Sequence, residues 1–344
     1  MSFYLVGHFA ITITYEFGAV LPGYRIRSSE FGIRVARPRI HNIHYATSIS
    51  HFLRAMLRGM RTRNVLSVLL LGILGMVSAA TAQNRAPAVS SLRLYIFDCG
   101  TIAPMDPTLY DLKIEEIKGS RGFITPCYLV AHPRGTLMWD TGQIPDANFP
   151  AGGGPATQGS FTSTKRLLPQ LAEIGYRPQD ITYLALSHYH SDHTANANEF
   201  AASTWIVEEA ERNAMFATPT PRIAQVATFN KLKDSKAILL HGEDRDVFGD
   251  GSVVIKSAPG HTPGHQVLFL KLPKLGPVLL AGDLYHYPEE RTLDRVPSFD
   301  SDRELTRKTR KAIDEFLTAN KAQLWIEHDV ATHAKLPKSP NYVE

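Results

Sequence analysis

Four side chains able to bind a metal ion fall within six residues, in the run His188-Tyr189-His190-Ser191-Asp192-His193, a pattern HxHxDH. Imidazole and carboxylate groups are costly to bury unpaired. A fold that takes this run inward must therefore supply ions or partners for it. The run follows Ile181-Thr182-Tyr183-Leu184-Ala185-Leu186, a short apolar stretch that reads as a buried strand. Its polar groups then lie on a loop leaving a strand's C-terminal end, where open α/β sheets place their sites.

The same arrangement recurs downstream. His261 and His265, in Ala258-Pro259-Gly260-His261-Thr262-Pro263-Gly264-His265, follow a strand expected over 252–257. Asp283 follows Val278-Leu279-Leu280, and Glu327-His328-Asp329 follows Leu324-Trp325-Ile326. Upstream, Asp140-Thr141-Gly142 follows Leu137-Met138-Trp139. One histidine at a strand end is usually structural. Five polar strand ends in this order predict a carboxylate and imidazole cluster on one sheet edge.

These motifs (HYHSDH, PGHTPGH, AGD, EHD and the upstream DTG) resemble the metallo-β-lactamase superfamily, over nearly the whole stretch from Leu92 to His328. FDCGT near the start, PGHTPGHQ and the long helix expected between Asp283 and His328 resemble its N-acyl-homoserine lactonases. The resemblance implies an α/β fold, the four-layer αββα metallo-β-lactamase sandwich, around two divalent metal ions, with zinc the expected metal. It implies that His188, His190 and His261 bind one ion, that Asp192, His193 and His328 bind the other, and that Asp283 bridges both. Imidazole and carboxylate donors suit zinc. Two ions roughly 3.5–4 Å apart would hold a bridging hydroxide as nucleophile at neutral pH. Asp140 is expected to orient a ligand histidine, and His265 to support the site without ligating. His241 and His333 lack a strand-end context and read as surface histidines. The lactonases often carry a tyrosine three residues after the bridging Asp, where it binds the substrate carbonyl. Here that position is His286, between Tyr285 and Tyr287. The candidate catalytic residues are thus Asp192, His286 and Tyr285.

Strands are expected over 92–97, 123–131, 136–139, 237–240, 267–272, 277–280 and 322–326, with a turn at His132-Pro133-Arg134-Gly135. Residues 163–174 have helical spacing, and 198–211 carry mixed signals with a helix in part. Ser301 with Glu304 reads as a capping box opening a helix to about Ala319, with Leu305, Ile313, Phe316 and Leu317 facing inward. Residues 143–163 are rich in Gly, Pro and Ala and predict a mobile loop, with Phe149 and Phe161 as candidates to line an apolar groove. Cys99 and Cys127 are not spaced as metal ligands. Buried free thiols are the expected state, although an exported protein would permit a disulfide.

Residues 60–83 have the three parts of a secretory signal. Arg61 and Arg63 precede an apolar run from Val65 to Val77, and Ala80-Thr81-Ala82 is a small-residue cleavage site. The apolar run is short for a bilayer span, so no stable membrane anchor is expected. Some 55 residues precede this signal, which predicts translation from Met56 or Met60 and an over-extended start over 1–55. The expected organisation is 1–55 as that start, 56–82 as signal peptide and 83–344 as one hydrolase domain, periplasmic or secreted. Residues 1–82 hold nine Arg, no Lys and two acidic residues, a balance of +7. The remainder holds 28 basic and 31 acidic residues, or −3. The basic excess belongs to the leader, so the folded part gives no ground for nucleic-acid binding.

The expected partner is a small-molecule lactone, and a homodimer is left open. The alternative is another exported metallo-hydrolase of this fold, acting on a β-lactam, an organophosphate or another ester. Asp283 counts against a β-lactamase, whose bridging position commonly holds Cys or another residue. The chain runs only sixteen residues past His328, which counts against a thioester hydrolase with its extra helical region. An inactive metal-binding module would be expected to have lost ligands, and all seven are present.

Overall fold

Alternation of apolar side chains with period two lets a strand face two different neighbours, and this chain uses it on two sheets. The computed structural model describes residues 86–344, together with the antiparallel backbone pair Ile11–Thr12 and Arg34–Val35. Apart from that backbone pair, the expected start segment, signal peptide and cleavage site over 1–82 lie outside the described residues. Asn84–Glu344 form one compact unit. No helix among the described residues is long and apolar enough to cross a membrane.

The first sheet is built from β1 (Arg93–Ile102), β2 (Phe123–His132), β3 (Gly135–Trp139), β4 (Ala156–Gln158), β5 (Phe161–Ser163), β6 (Tyr183–Ala185), β7 (Thr204–Glu208) and β8 (Ala237–Leu240). Their order is β8-β7-β6-β3-β2-β1-β5-β4, and the C-terminal Tyr342–Val343 adds to β1. The block β8-β7-β6-β3 is parallel and the rest antiparallel. The second sheet has the order β9 (Arg245–Asp246), β10 (Val253–Ser257), β11 (Gln266–Leu272), β12 (Gly276–Leu280) and β13 (Gln323–Trp325), with only β12 and β13 parallel.

Leu94, Ile96, Val130 and Trp139 of the first sheet share one buried cluster with Ile255, Leu268, Leu270 and Leu280 of the second. The alternate residues Tyr95, Phe97 and Leu129 face the other way, against α1 (Leu167–Glu173) and α3 (Glu209–Met215). Val267, Phe269 and Leu279 likewise turn outward onto Ile313 and Leu317 of the long helix α6 (Arg303–Asn320). Helix, sheet, sheet and helix layers follow: the expected αββα sandwich.

Several local expectations change. Cys99 and Cys127 are joined by a disulfide rather than free, with Cα atoms 6.0 Å apart. They sit on neighbouring antiparallel strands, and the irregularity in β1 between Asp98 and Thr101 brings them together. The C-terminal part of the 143–163 segment is not a loop: β4 and β5 form a hairpin that docks on the end of β1. Within 198–211 lies a whole central strand, β7, hidden because α3 begins at the next residue. The cap of α6 is Asp302, which accepts from the Leu305 N–H at 2.9 Å, not Ser301. Ser301 instead donates its hydroxyl to the His261 carbonyl. On that helix Ile313 and Leu317 are buried, while Leu305 is only partly so.

Candidate metal centre

Four strands end at one rim, and each delivers part of the cluster. The loop after β6 supplies His188 and His190. Helix α2 (Ser191–Thr194), one turn long, follows at once and supplies Asp192 and His193. His261 follows β10, Asp283 lies in a 3-10 turn after β12, and His328 follows β13. Among the described residues, His188, His190, His261 and Asp283 place donor atoms within 4.8 Å of one another, as do Asp192, His193, Asp283 and His328.

Asp283 divides its carboxylate between the two groups. Its Oδ2 is 3.5 Å from both His188 Nε2 and His261 Nε2, and its Oδ1 is 3.1 Å from His193 Nε2 and 3.0 Å from His328 Nε2. Asp192 Oδ2 closes the second group, 3.6 Å from the same two Nε2 atoms. His190 Nδ1 lies 3.1 Å from His261 Nε2 in the first. Six of the seven side chains are buried; Asp192 alone is partly exposed, at 13%. His188 Nε2, His193 Nε2 and Asp283 Oδ1 are buried with no hydrogen-bond partner in the protein. Such atoms are expensive to leave unpaired. Their convergence fits a pair of divalent ions. Burial, reinforced by neighbouring imidazoles, holds His188 and His190 well below the ordinary imidazole range, the neutral form a metal requires.

The outer ring nitrogens are tied down. His193 donates Nδ1–H to Asp140 Oδ2 at 2.9 Å, His261 to Asp300 Oδ1 at 2.8 Å, and His328 to the Ile124 carbonyl at 2.7 Å. Each bond fixes a tautomer that turns the Nε2 lone pair inward. Asp140 also accepts the Ser187 N–H at 2.6 Å. It does this from a left-handed conformation, φ 55°, which Asp tolerates better than most residues. The Asp140-Thr141-Gly142 turn then grips α2, since Thr141 N donates to the His193 carbonyl at 2.8 Å and Ala195 N to that of Gly142 at 2.9 Å. Gly142 lies on the disulfide: a Cβ there would come within 3.1 Å of Cys99 Cβ and 3.4 Å of both sulfurs. The rigid bridge thus floors the turn that holds His193.

Glu211, on α3, braces the two histidine-rich loops together. Its carboxylate accepts from Tyr189 N and Gly264 N at 2.8 Å each and from the Thr262 hydroxyl. Burial pushes it up to about 7 against these bonds. His265 accepts from the Asp283 N–H at 3.0 Å and bonds the Ala258 carbonyl, a supporting position. The buried Glu327 of the EHD motif sits with Asp140 and His193, a position the motif did not announce. Asp300 and Glu211 were not singled out by the sequence. They lie far from the motifs or show no local pattern.

His286 is beside the cluster, its Nε2 3.2 Å from Asp283 Oδ2. Burial opposes its charge, but Asp283 and then Glu290 push it up to about 10. Tyr285 is not brought to the cluster: it packs in the core under α6, with the Arg310 guanidinium 4.2 Å from its ring. Tyr287 points to the Arg121 carbonyl, which it bonds at 2.8 Å. Phe149 shares a small cluster with Ile144 and Ala156, and Phe161 packs both against it and against the group of Tyr110 and Phe123. The aromatic wall of the cluster is instead Tyr110, 4.9 Å from the His286 ring, Phe123, 5.5 Å from His328, and Phe299, 5.8 Å from His261. A small cavity of about 100 Å³ opens beside His286 and His328, between Gly122 and Val330. His241 is exposed as expected, but His333 is buried, its Nε2 3.3 Å from the Tyr128 hydroxyl. The small apolar residues around it in sequence gave no sign of this.

Comparison with known proteins agrees with this geometry. Residues 120–320 match the metallo-β-lactamase superfamily. An N-acyl homoserine lactonase from Bacillus sp is 30% identical over 227 residues, 63% of this chain and 86% of that protein. The N-acyl homoserine lactonase AttM of Azorhizobium caulinodans is 26% identical over 269 residues, 74% of this chain and all of that one. The solved structure of an N-acyl homoserine lactone hydrolase, with N-hexanoyl-L-homoserine at its catalytic metal centre, superposes with a TM-score of 0.61. It covers 74% of this chain and 100% of its own at 24% identity.

Proposed function

We propose that this chain, which belongs to the metallo-β-lactamase superfamily and is a metal-dependent hydrolase, opens the ring of N-acyl homoserine lactones. The observation that carries the reading is the divided carboxylate of Asp283, which faces three imidazoles on one side and two imidazoles with Asp192 on the other. A site that shares one carboxylate this way suits a reaction with charge developing at two oxygens, the carbonyl and the leaving ester oxygen. The lactonase relatives support the substrate class.

In this reading His188, His190 and His261 hold one ion, Asp192, His193 and His328 the second, and Asp283 both, with zinc the expected metal. The ions, when bound, supply a hydroxide at neutral pH and a Lewis acid for the carbonyl. The protein's own groups do the rest. His286 Nε2–H donates to the substrate carbonyl oxygen as it gains charge. Asp192, the one partly open side chain of the seven, would carry the proton of the added hydroxyl to the departing alkoxide, which leaves as the alcohol. The wall of Tyr110, Phe123 and Phe299 excludes water around them. Initial rates on an N-acyl homoserine lactone, a penicillin, a phosphotriester and a thioester test the assignment. The lactone should be turned over fastest, and turnover no better than that of penicillin would reject it. His286→Ala should lower lactone turnover roughly ten- to a thousand-fold, the loss of one transition-state donor, with metal content unchanged.

We further propose export, with 1–55 as an over-extended start and the mature chain beginning at or near Gln83. The Cys99–Cys127 disulfide supports an oxidising compartment. N-terminal sequencing of the protein from periplasm or medium tests this, and a soluble cytoplasmic form starting at Met1 would overturn it.

A further inference from the structure

His286 does not stand alone behind the cluster. Helix α5 (Pro288–Thr292) places Glu290, with no exposed surface, directly beneath it. Glu290 Oε1 accepts the backbone N–H groups of His286 and Tyr287, each at 3.1 Å, and lies 3.3 Å from His286 Nδ1. Its other oxygen, Oε2, accepts from Arg310 Nη2 at 2.7 Å. Arg310 is itself buried on α6, and it spends its remaining donors on the same segment. Nε bonds the Leu284 carbonyl at 2.7 Å and Nη1 the Arg295 carbonyl. One guanidinium therefore holds the 284–295 segment at both ends and at Glu290 in the middle. A planar fork with fixed donors suits such a task.

A buried Glu–Arg pair is weak support for stability on its own, because both charges have lost water. Its position suggests another use. An imidazole can turn about its last torsion, and that torsion is soft. With Nδ1 facing Glu290, the ring presents Nε2 to Asp283. Turned over, it would present a carbon there. We infer that Glu290, anchored by Arg310, is a positioning residue that fixes which edge of the His286 ring faces the reacting centre. This rests on the role proposed above for His286.

The test is a double-mutant cycle on the zinc-loaded, purified full-length domain as isolated, with Glu290→Gln, His286→Ala and the pair, read in four ways. Zinc per chain should stay at the wild-type value in all three. Glu290→Gln should lower kcat for the lactone about ten- to a hundred-fold while KM shifts by less than about twofold. In the His286→Ala background the same change should cost less than about twofold, because residues acting through one another are not additive. Finally, NMR of ¹³C,¹⁵N-labelled histidine, which needs no substrate, should show contacts from a single His286 ring orientation in the wild type and from two exchanging orientations in Glu290→Gln. If Glu290→Gln fails to fold, Glu290→Gln with Arg310→Met removes both charges together and carries the same four readouts. An equal loss of kcat with and without His286, or an unchanged single ring orientation in Glu290→Gln, would overturn the inference. Absence of lactone turnover in the wild type would instead overturn the substrate assignment, and the NMR readout would still decide the role of Glu290.

Discussion

The two halves of the metal cluster use similar donors but are held in different ways. The half formed by His188, His190 and His261 contains only imidazoles besides the shared Asp283. Its brace, Asp300, belongs to the segment leading into α6 and is tied to it by the Thr306 hydroxyl at 2.7 Å. The half formed by Asp192, His193 and His328 has a carboxylate of its own. It is braced by Asp140, by the Ile124 carbonyl and by a turn resting on the disulfide, all within the first sheet and its loops. A second negative charge in the donor set favours a divalent cation. The second half should therefore bind its ion more tightly, and a chelator should empty the first half before it.

The largest effect expected is one that erases the difference. Asp283→Ala removes the only donor common to both halves. Metal content measured by elemental analysis should fall below one ion per chain, and lactone turnover should drop by more than about a thousand-fold. A single ion in a fully active wild-type enzyme would reject the two-ion description itself. Bracing variants should separate the halves. Asp140→Asn is expected to weaken the second ion about ten- to a hundred-fold, and Asp300→Asn the first by a similar factor, as loss of an outer hydrogen bond to a ligand histidine usually does. Titration of each variant with a chromophoric chelator distinguishes them. If both variants lose the same ion, the division drawn here is wrong.

The disulfide tests the floor of the second half. Its two cysteines are 28 residues apart, for which loop closure stabilises by about 3–4 kcal/mol. Replacing both by Ala should lower Tm, and the second ion should be lost at lower chelator concentration than in the wild type while the first is unaffected. The smallest effect concerns Glu211, which joins the two histidine loops. Its folded-state pKa, about 7, is above the ordinary carboxylate value because of burial. The stability linked to it is thus complete in acid and is lost as pH rises through about 7. Tm should fall between about pH 4.5 and pH 7 in the wild type, level off above that, and be flat over the same interval in Glu211→Gln. Neutral His265 and His333, both pushed down to about 3 by burial, act oppositely, with stability present above about 6.5 and lost as pH falls towards 3.

What the sequence made legible was whatever has a local signature. The αββα order was implied by the resemblance that the strand-end motifs carry, and the seven cluster residues stood out because each sits directly after an apolar strand or in the HxHxDH run. The bracing groups were not legible. Asp300, Glu290 and Glu211 are ordinary acidic residues in helical or loop segments, and only tertiary contact gives them partners. The disulfide was missed because its spacing says nothing about a strand irregularity, and β7 because a helix follows it without a break. Tyr285 failed for a different reason. It was a candidate only as the neighbour of His286, the position that fits the register, should the loop differ by one residue; here its side chain turns into the core under α6.

The seven donors come from opposite sheets. His188, His190, Asp192 and His193 hang from the first, and His261, Asp283 and His328 from the second. The apolar filling between the sheets is therefore a spacer that fixes how far apart the two sets of donors stand. A residue such as Leu270 or Val278, buried between the two sheets, then works as a gauge for the cluster: change its girth and the jaws of the site widen or narrow, though no ligand has been touched. The evolution of rate in such a molecule can proceed from its interior, through side chains that never meet a substrate.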